Sequence, residues 1–239
     1  MRKYIYISIL CLSAGLTSCN DWLTEEGPMV TKSEDFFTNE ETAVQSVNAA
    51  YVPLMWEYNN TYYPEWFIGD VVSDDALKGG QNLSDMADVY DLENFKTISN
   101  NGLLLDYYRA QYQGVARCNL AIEEIPRMEV DEKFTEKLRD RLVGEAKFLR
   151  AMYYFRLVRM FGGVPKVDYV IYSSEKWKQP RATKEEIYDL ITKDLLAAEP
   201  VLWKKSEYED ADLGRATKGA AQAMLLKVYL YMHNYTEAK

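Results

Sequence analysis

Apolar residues recur every three to four positions in five stretches of the chain, and irregular polar segments separate them. Ala43, Val44, Val47, Ala50, Tyr51 and Leu54 predict a first helix of about four turns, opened by a capping box at Thr38-Asn39-Glu40-Glu41. Leu104, Tyr108, Tyr112, Val115, Asn119, Ile122 and Ile125 predict a second, stopped at Pro126. The third and longest runs from near Asp131 to Phe161. A fourth starts at the capping box Thr183-Lys184-Glu185-Glu186 and carries Ile187, Leu190, Ile191, Leu195 and Ala198 up to Pro200. The fifth starts near Thr217 with Ala220, Ala221, Met224, Leu225, Val228 and Leu230. The closing MHNYTEAK reads as a turn and the first residues of another helix.

Between the first two helices the periodicity fails. Residues 56–100 hold Pro64, the pair Gly79-Gly80 and many aromatic and acidic side chains, as in WEYNNTYYPEWFIGDVVSDDALKGGQN. So long a connection predicts a functional loop region with short elements of its own. Pro165 to Gln179 is a second, shorter connector.

The third helix is apolar on two sides. Leu142, Ala146, Leu149, Tyr153, Leu157 and Met160 form one stripe, and Ala151, Tyr154, Phe155, Val158 and Phe161 a second. A helix of that kind is sandwiched between neighbours. Its segment also carries Lys147, Arg150, Arg156, Arg159 and Lys166. At roughly 100° per residue Lys147 and Arg150 lie about 60° apart, while Arg156 and Arg159 lie well over 100° from Lys147. Dispersed cations do not make a polyanion-binding face. They are expected to snorkel over the core or pair with carboxylates. Gly162-Gly163 is expected to give a left-handed cap, and Pro165 prevents continuation.

Charge and cysteines narrow the class. With 28 basic and 37 acidic side chains the net charge is −9, which argues against nucleic acid as a partner and against docking on anionic lipid through the protein surface. Arg2 and Lys3 followed by the apolar run Tyr4 to Leu16 predict a signal peptide over residues 1–18. That run ends in Leu16-Thr17-Ser18-Cys19, the lipobox pattern of bacterial lipoproteins, so Cys19 is the expected lipidation site and residues 19–38 a lipidated tether. Processing would leave Cys118 as the one unlipidated cysteine, with no disulfide framework in the chain.

Catalytic chemistry is thin. His233 is the single histidine and falls in a turn, and neither a zinc set nor a phosphate loop is present. The expectation is a binding protein rather than an enzyme, with no cofactor. Asp70, Asp74 and Asp75 are weak calcium candidates, without the spacing of a known calcium loop. Aromatic residues are the suggestive feature: Trp56, Tyr62, Tyr63 and Trp66 crowd the irregular segment, and Tyr169, Tyr172 and Trp177 follow the third helix. Sugar rings stack their C–H faces on such rings, while amides and carboxylates take the hydroxyls. Gln81 and Asn82 are added as candidates by position only.

The run EAKFLRAMYYFRLVRMFGGVP resembles the signature of the SusD/RagB family, E-A-[RK]-F-L-R-A-x-x-Y-[FW] ending in F-G-x-V-P. Cys19-Asn20-Asp21-Trp22-Leu23, Pro180-Arg181-Ala182-Thr183 and Gly214-Arg215-Ala216-Thr217 resemble further family segments in the same order. Tyr229, Tyr231, Tyr235 and Ala238 are similar to a tetratricopeptide repeat. The resemblance implies a mainly α fold of tetratricopeptide-like helical repeats with long irregular loops and few short strands. It implies a lipid-anchored outer-membrane protein, facing outward, that holds an oligosaccharide for a SusC-like TonB-dependent transporter. Family members are about twice this length, so residues 39–239 are expected to be an N-terminal helical-repeat domain incomplete at its C-terminus. A protein-binding scaffold, a peptide-binding uptake lipoprotein and a surface glycosidase are the competing readings.

Overall fold

A computed structural model describes residues 33–56 and 65–239. The signal peptide, Cys19, most of the tether, and Tyr62 and Tyr63 lie outside the described residues. Ser33–Phe36 (α1) forms one helical turn by itself, and the chain from Phe37 onward is one compact unit.

Local capping chemistry sets the helix starts. Helix α2, Glu40–Tyr51, is capped one residue later than expected: Asn39 Oδ1 accepts from the Thr42 amide at 3.1 Å, and Thr42 Oγ1 accepts from the Asn39 amide at 3.3 Å. Asn39 takes that amide, so Thr38 and Glu41 do not form the box. A 3-10 turn, Val52–Met55, follows with Pro53 at its start. Two short helices occupy the irregular region, α3 at Glu65–Val72 and α4 at Ala87–Glu93. Helix α5, Gly102–Glu124, is capped by Asn101, whose Nδ2 also donates to the Asp88 carbonyl; Asp88 Oδ2 accepts from the Gly102 amide at 2.9 Å. These bonds tie α4 to the start of α5.

Helix α6, Glu136–Phe161, starts at the cap Thr135, later than the expected Asp131. Asp131 instead closes a turn of its own, its Oδ1 accepting from Lys133 and Phe134 amides at 2.7 Å each. That turn tucks Phe134 into the core. At the other end Gly162 takes φ +69°, but its ψ of −132° lies outside the left-handed helical region expected of it. Arg181 instead donates to the last α6 carbonyl, Phe161 O, and to Gly163 O just beyond the helix. A Cβ on Gly163 would stand 2.2 Å from Ala182 O, so only glycine admits that strand of backbone. Pro165 and Arg181 form an isolated antiparallel bridge, the only β pairing among the described residues. Helices α7 (Lys184–Ala198) and α8 (Lys218–Tyr231) start at Thr183 and Thr217, and the Thr183–Glu186 capping box forms as the sequence predicts. The closing residues make turns rather than a further helix. The one i→i+4 bond formed wholly beyond α8, Ala238 N to Asn234 O, does not offset the cost of helix nucleation.

Helix α6 is the hub, packing against α2, α5 and α7, while α8 covers α7. Both its stripes are buried: Leu142, Ala146, Leu149, Tyr153 and Leu157 on one side, and Ala151, Tyr154, Phe155 and Val158 on the other. A separate cluster joins Ile68 and Val71 of α3 with Val89 and Leu92 of α4 and Leu103 and Tyr107 of α5. This stacking of paired helices is the helical-repeat fold that the sequence predicts. No helix among the described residues is long and apolar enough to cross a membrane.

The α6 cations divide by role. Arg156 and Arg159 both reach Glu65 of α3, the first at 2.6 Å, as expected of paired surface charges. Arg150 meets the pairing expectation, but inside the core: it is buried and bonded by two nitrogens to buried Asp194 of α7, at 2.7 Å each. Glu145 is also buried, with Arg141 3.4 Å and Arg215 3.2 Å away, and accepts from the Tyr51 hydroxyl at 3.0 Å. Burial pushes the Glu145 carboxyl above its usual range, although both guanidiniums oppose the shift.

Candidate functional site

A cleft of about 600 Å³ opens between α5 and the connector that leaves α6. Its floor is one stripe of α5, where Tyr108, Tyr112, Val115 and Asn119 fall at helical spacing. Tyr108 and Tyr112 lie with ring centres 4.7 Å apart, and Tyr108 meets Phe161 edge-on at 5.3 Å. The wall is Pro165 to Ile171, and Trp177, Lys178 and Gln179 form the rim.

The wall has no sheet to hold it, so its backbone polar groups find side chains instead. Tyr112 Oη donates to Pro165 O. The Val167 amide donates to Tyr154 Oη at 2.7 Å, and that hydroxyl in turn lies 3.1 Å from Val167 O. The two amide protons of Asn119 go to Val167 O and Tyr169 O, both at 2.9 Å. Arg150 donates to Asp168 O at 3.1 Å and to Asn119 Oδ1 at 2.9 Å. Glu123 Oε2 accepts from the Val170 amide at 3.3 Å.

Electrostatics keep this grip in one protonation state. Burial works against the charge of Arg150, but the bonds and attraction of Asp194 hold its pKa above the ordinary value. Burial pushes the phenols of Tyr112 and Tyr154 up, so both stay neutral donors. It also pushes the neighbouring Cys118 thiol up, which leaves it an inert core residue.

The sequence-predicted aromatics divide accordingly. Trp177 is 72% exposed at the rim, and Tyr169 lines the wall under the Lys176 ammonium, 5.6 Å from the ring centre. Tyr172 lies just beyond the cleft and donates to Glu124 Oε1 at 3.0 Å, which straps the connector to α5. Trp56 packs under Arg117, whose guanidinium is 5.1 Å from its ring and also bonds Ala49 O. Trp66 is half-exposed on α3 and does not line the cleft. Gln81 and Asn82 sit in an exposed loop, and Asn82 Oδ1 is used within its own turn by Ser84 and Asp85. Asp70, Asp74 and Asp75 are not gathered, and no group of three His, Cys, Asp or Glu able to hold a metal ion occurs among the described residues.

Tyr108 and Tyr112 were not among the candidates that the sequence suggests, because their spacing assigns them to a core stripe. The usable signal is composition: a stripe of two tyrosines and an asparagine is amphipathic where a core stripe would be aliphatic. The cleft therefore offers flat apolar rings and few unspent polar groups, an arrangement suited to stacking against C–H faces with hydrogen bonds at the rim.

A family model described as "Starch-binding associating with outer membrane" matches residues 21–230. "SusD-like protein P38" of Formosa agariphila is 30% identical over the whole chain and 45% of its own length. Among solved structures, a "Laminarin binding SusD-like protein" is similar at 31% identity with a TM-score of 0.76, over 84% of this chain and 42% of that one. "Surface glycan-binding protein A" from Bacteroides fluxus is similar at 28% identity with a TM-score of 0.73, over 83% of this chain and 41% of that one. The chain thus spans less than half the length of these relatives.

Proposed function

This chain belongs to the SusD-like family, and from that premise we propose that it captures oligosaccharide at the outer surface of the outer membrane. Cys19 carries the lipid anchor. The cleft between α5 and the connector is a glycan-binding site, and bound glycan passes to a SusC-type TonB-dependent transporter. Capture is an equilibrium of stacking and hydrogen bonding, with no bond made or broken in the ligand. The observation that carries the reading is the aromatic cleft itself: Tyr108, Tyr112, Tyr169 and Trp177 around about 600 Å³, within the size range of small-ligand sites. Likeness to a laminarin-binding protein supports a glycan as the ligand class.

The test is calorimetric titration with laminarihexaose, maltoheptaose and cellohexaose, with tryptophan fluorescence of the parent and of Trp177→Phe followed in parallel. Saturable binding of one of these, with an emission change that Trp177→Phe loses, is the expected result. Silence toward all three, together with firm co-purification of a transporter, would replace capture with a scaffold role. A Cys19→Ala variant of the expressed precursor should leave the membrane fraction if Cys19 is the anchor.

A further inference from the structure

We propose that Asn119 is the positioning residue of the cleft, holding the connector's main chain so that Tyr169 and Trp177 face the tyrosines of α5. This rests on the glycan-binding reading of the same cleft. Asn119 is buried toward the C-terminal end of α5, where a polar side chain is costly unless every group is used. All of them are used. Its two amide protons are divided between Val167 O and Tyr169 O, which lie two residues apart on the extended wall. Its oxygen accepts from Arg150, and Arg150 is locked in turn by two bonds to Asp194. A guanidinium can only donate, so it fixes which end of the Asn119 amide is oxygen and aims the two protons at the wall.

The chain of contacts runs Asp194, Arg150, Asn119, connector: α7 to α6 to α5 to the ligand wall. Core and cleft share one hydrogen-bonded string. Arg150 holds the wall a second time through Asp168 O, so Asn119 acts with a partner that is already fixed by the fold. A wall held in place before ligand arrives spares the ordering cost on binding.

Two variants separate positioning from bulk structure. Asn119→Asp keeps the size and the Arg150 bond but sets an acceptor against the two carbonyls, and Asn119→Ala removes the bonds without new repulsion. Hydrogen exchange of the Val167 and Val170 amides should accelerate at least about tenfold in both, with protection in α6 and α7 unchanged. Affinity for whichever of laminarihexaose, maltoheptaose or cellohexaose the parent binds should fall about tenfold. Unchanged exchange in the connector would overturn the proposal, as would unchanged affinity in a parent that binds. Loosening of α6 and α7 together with the connector, or failure of both variants to fold, would make Asn119 a core residue and also overturn it. A parent that binds none of the three sugars sinks the functional reading, while the exchange result still decides whether Asn119 holds the wall.

Discussion

The ring of Tyr153 in α6 lies flat against the backbone of Gly114 in α5, so close that a Cβ there would stand 2.3 to 2.5 Å from three of its carbons. The ring cannot retreat, because its hydroxyl donates to Ala50 O at 2.6 Å and pins it to α2. Three helices therefore meet at one glycine. Gly114→Ala should destabilise the fold by about 1–3 kcal/mol through overpacking, which chemical denaturation would read directly. A midpoint within error of the parent would mean that the α5–α6 contact is loose.

The Arg150–Asp194 pair is a buried charge pair, and its two ends differ from a surface bridge in what removal costs. Asp194→Ala leaves a guanidinium without its carboxylate in the core and should cost about 3–5 kcal/mol. The double change Arg150→Met, Asp194→Leu should recover much of that loss, because no charge is left unpaired. Denaturant midpoints of the single and double variants decide it. A double variant as unstable as the single one would show that the pair contributes more than its own neutralisation.

The Asp131 carboxyl is held below its usual range by the amides of Phe134 and Lys133. A depressed folded pKa means that the stability it lends is present above the unfolded pKa and is lost as pH falls through the folded one. The difference in stability between the parent and Asp131→Ala should be full at neutral pH and shrink toward zero in the acid range below the ordinary carboxylate value. Thermal unfolding across pH checks this, and a gap independent of pH would refute it.

Within the cleft, Trp177→Ala and Tyr108→Ala should each weaken glycan binding by about 2–10-fold, the range expected for one stacking contact. Trp66→Ala should leave affinity unchanged, since Trp66 does not line the cleft. Titration of the three variants against the sugar bound by the parent is sufficient. A loss in Trp66→Ala alone would move the binding surface to α3.

What was legible in the sequence was what local chemistry decides. The Thr183–Glu186 box and the two apolar stripes of α6 depend on neighbours three or four residues away, and both form. Asp131 misled because a carboxylate that accepts from the next amides closes a turn by the same bonds with which it would cap a helix. Arg150 pairs with a carboxylate as expected, but its burial was not legible, because its partner is 44 residues away in sequence and nothing nearby distinguishes a buried arginine from an exposed one. The cleft was half visible. Trp177 and Tyr169 stood out as aromatics in a connector, but their partners on α5 read as core, and Asn119 reaches Val167 and Tyr169 across 48 and 50 residues.

The wall of the cleft is held by its carbonyls and amides, and the side chains of Val167, Tyr169 and Val170 take no part in that grip. Anchorage is thus carried by main-chain atoms, and the side chains of the same residues are left to shape the cleft. On the glycan-binding proposal the connector is an exchangeable cassette: its surface could be rewritten for a different sugar while the helices beneath it, and the bonds that fasten it to them, stay as they are.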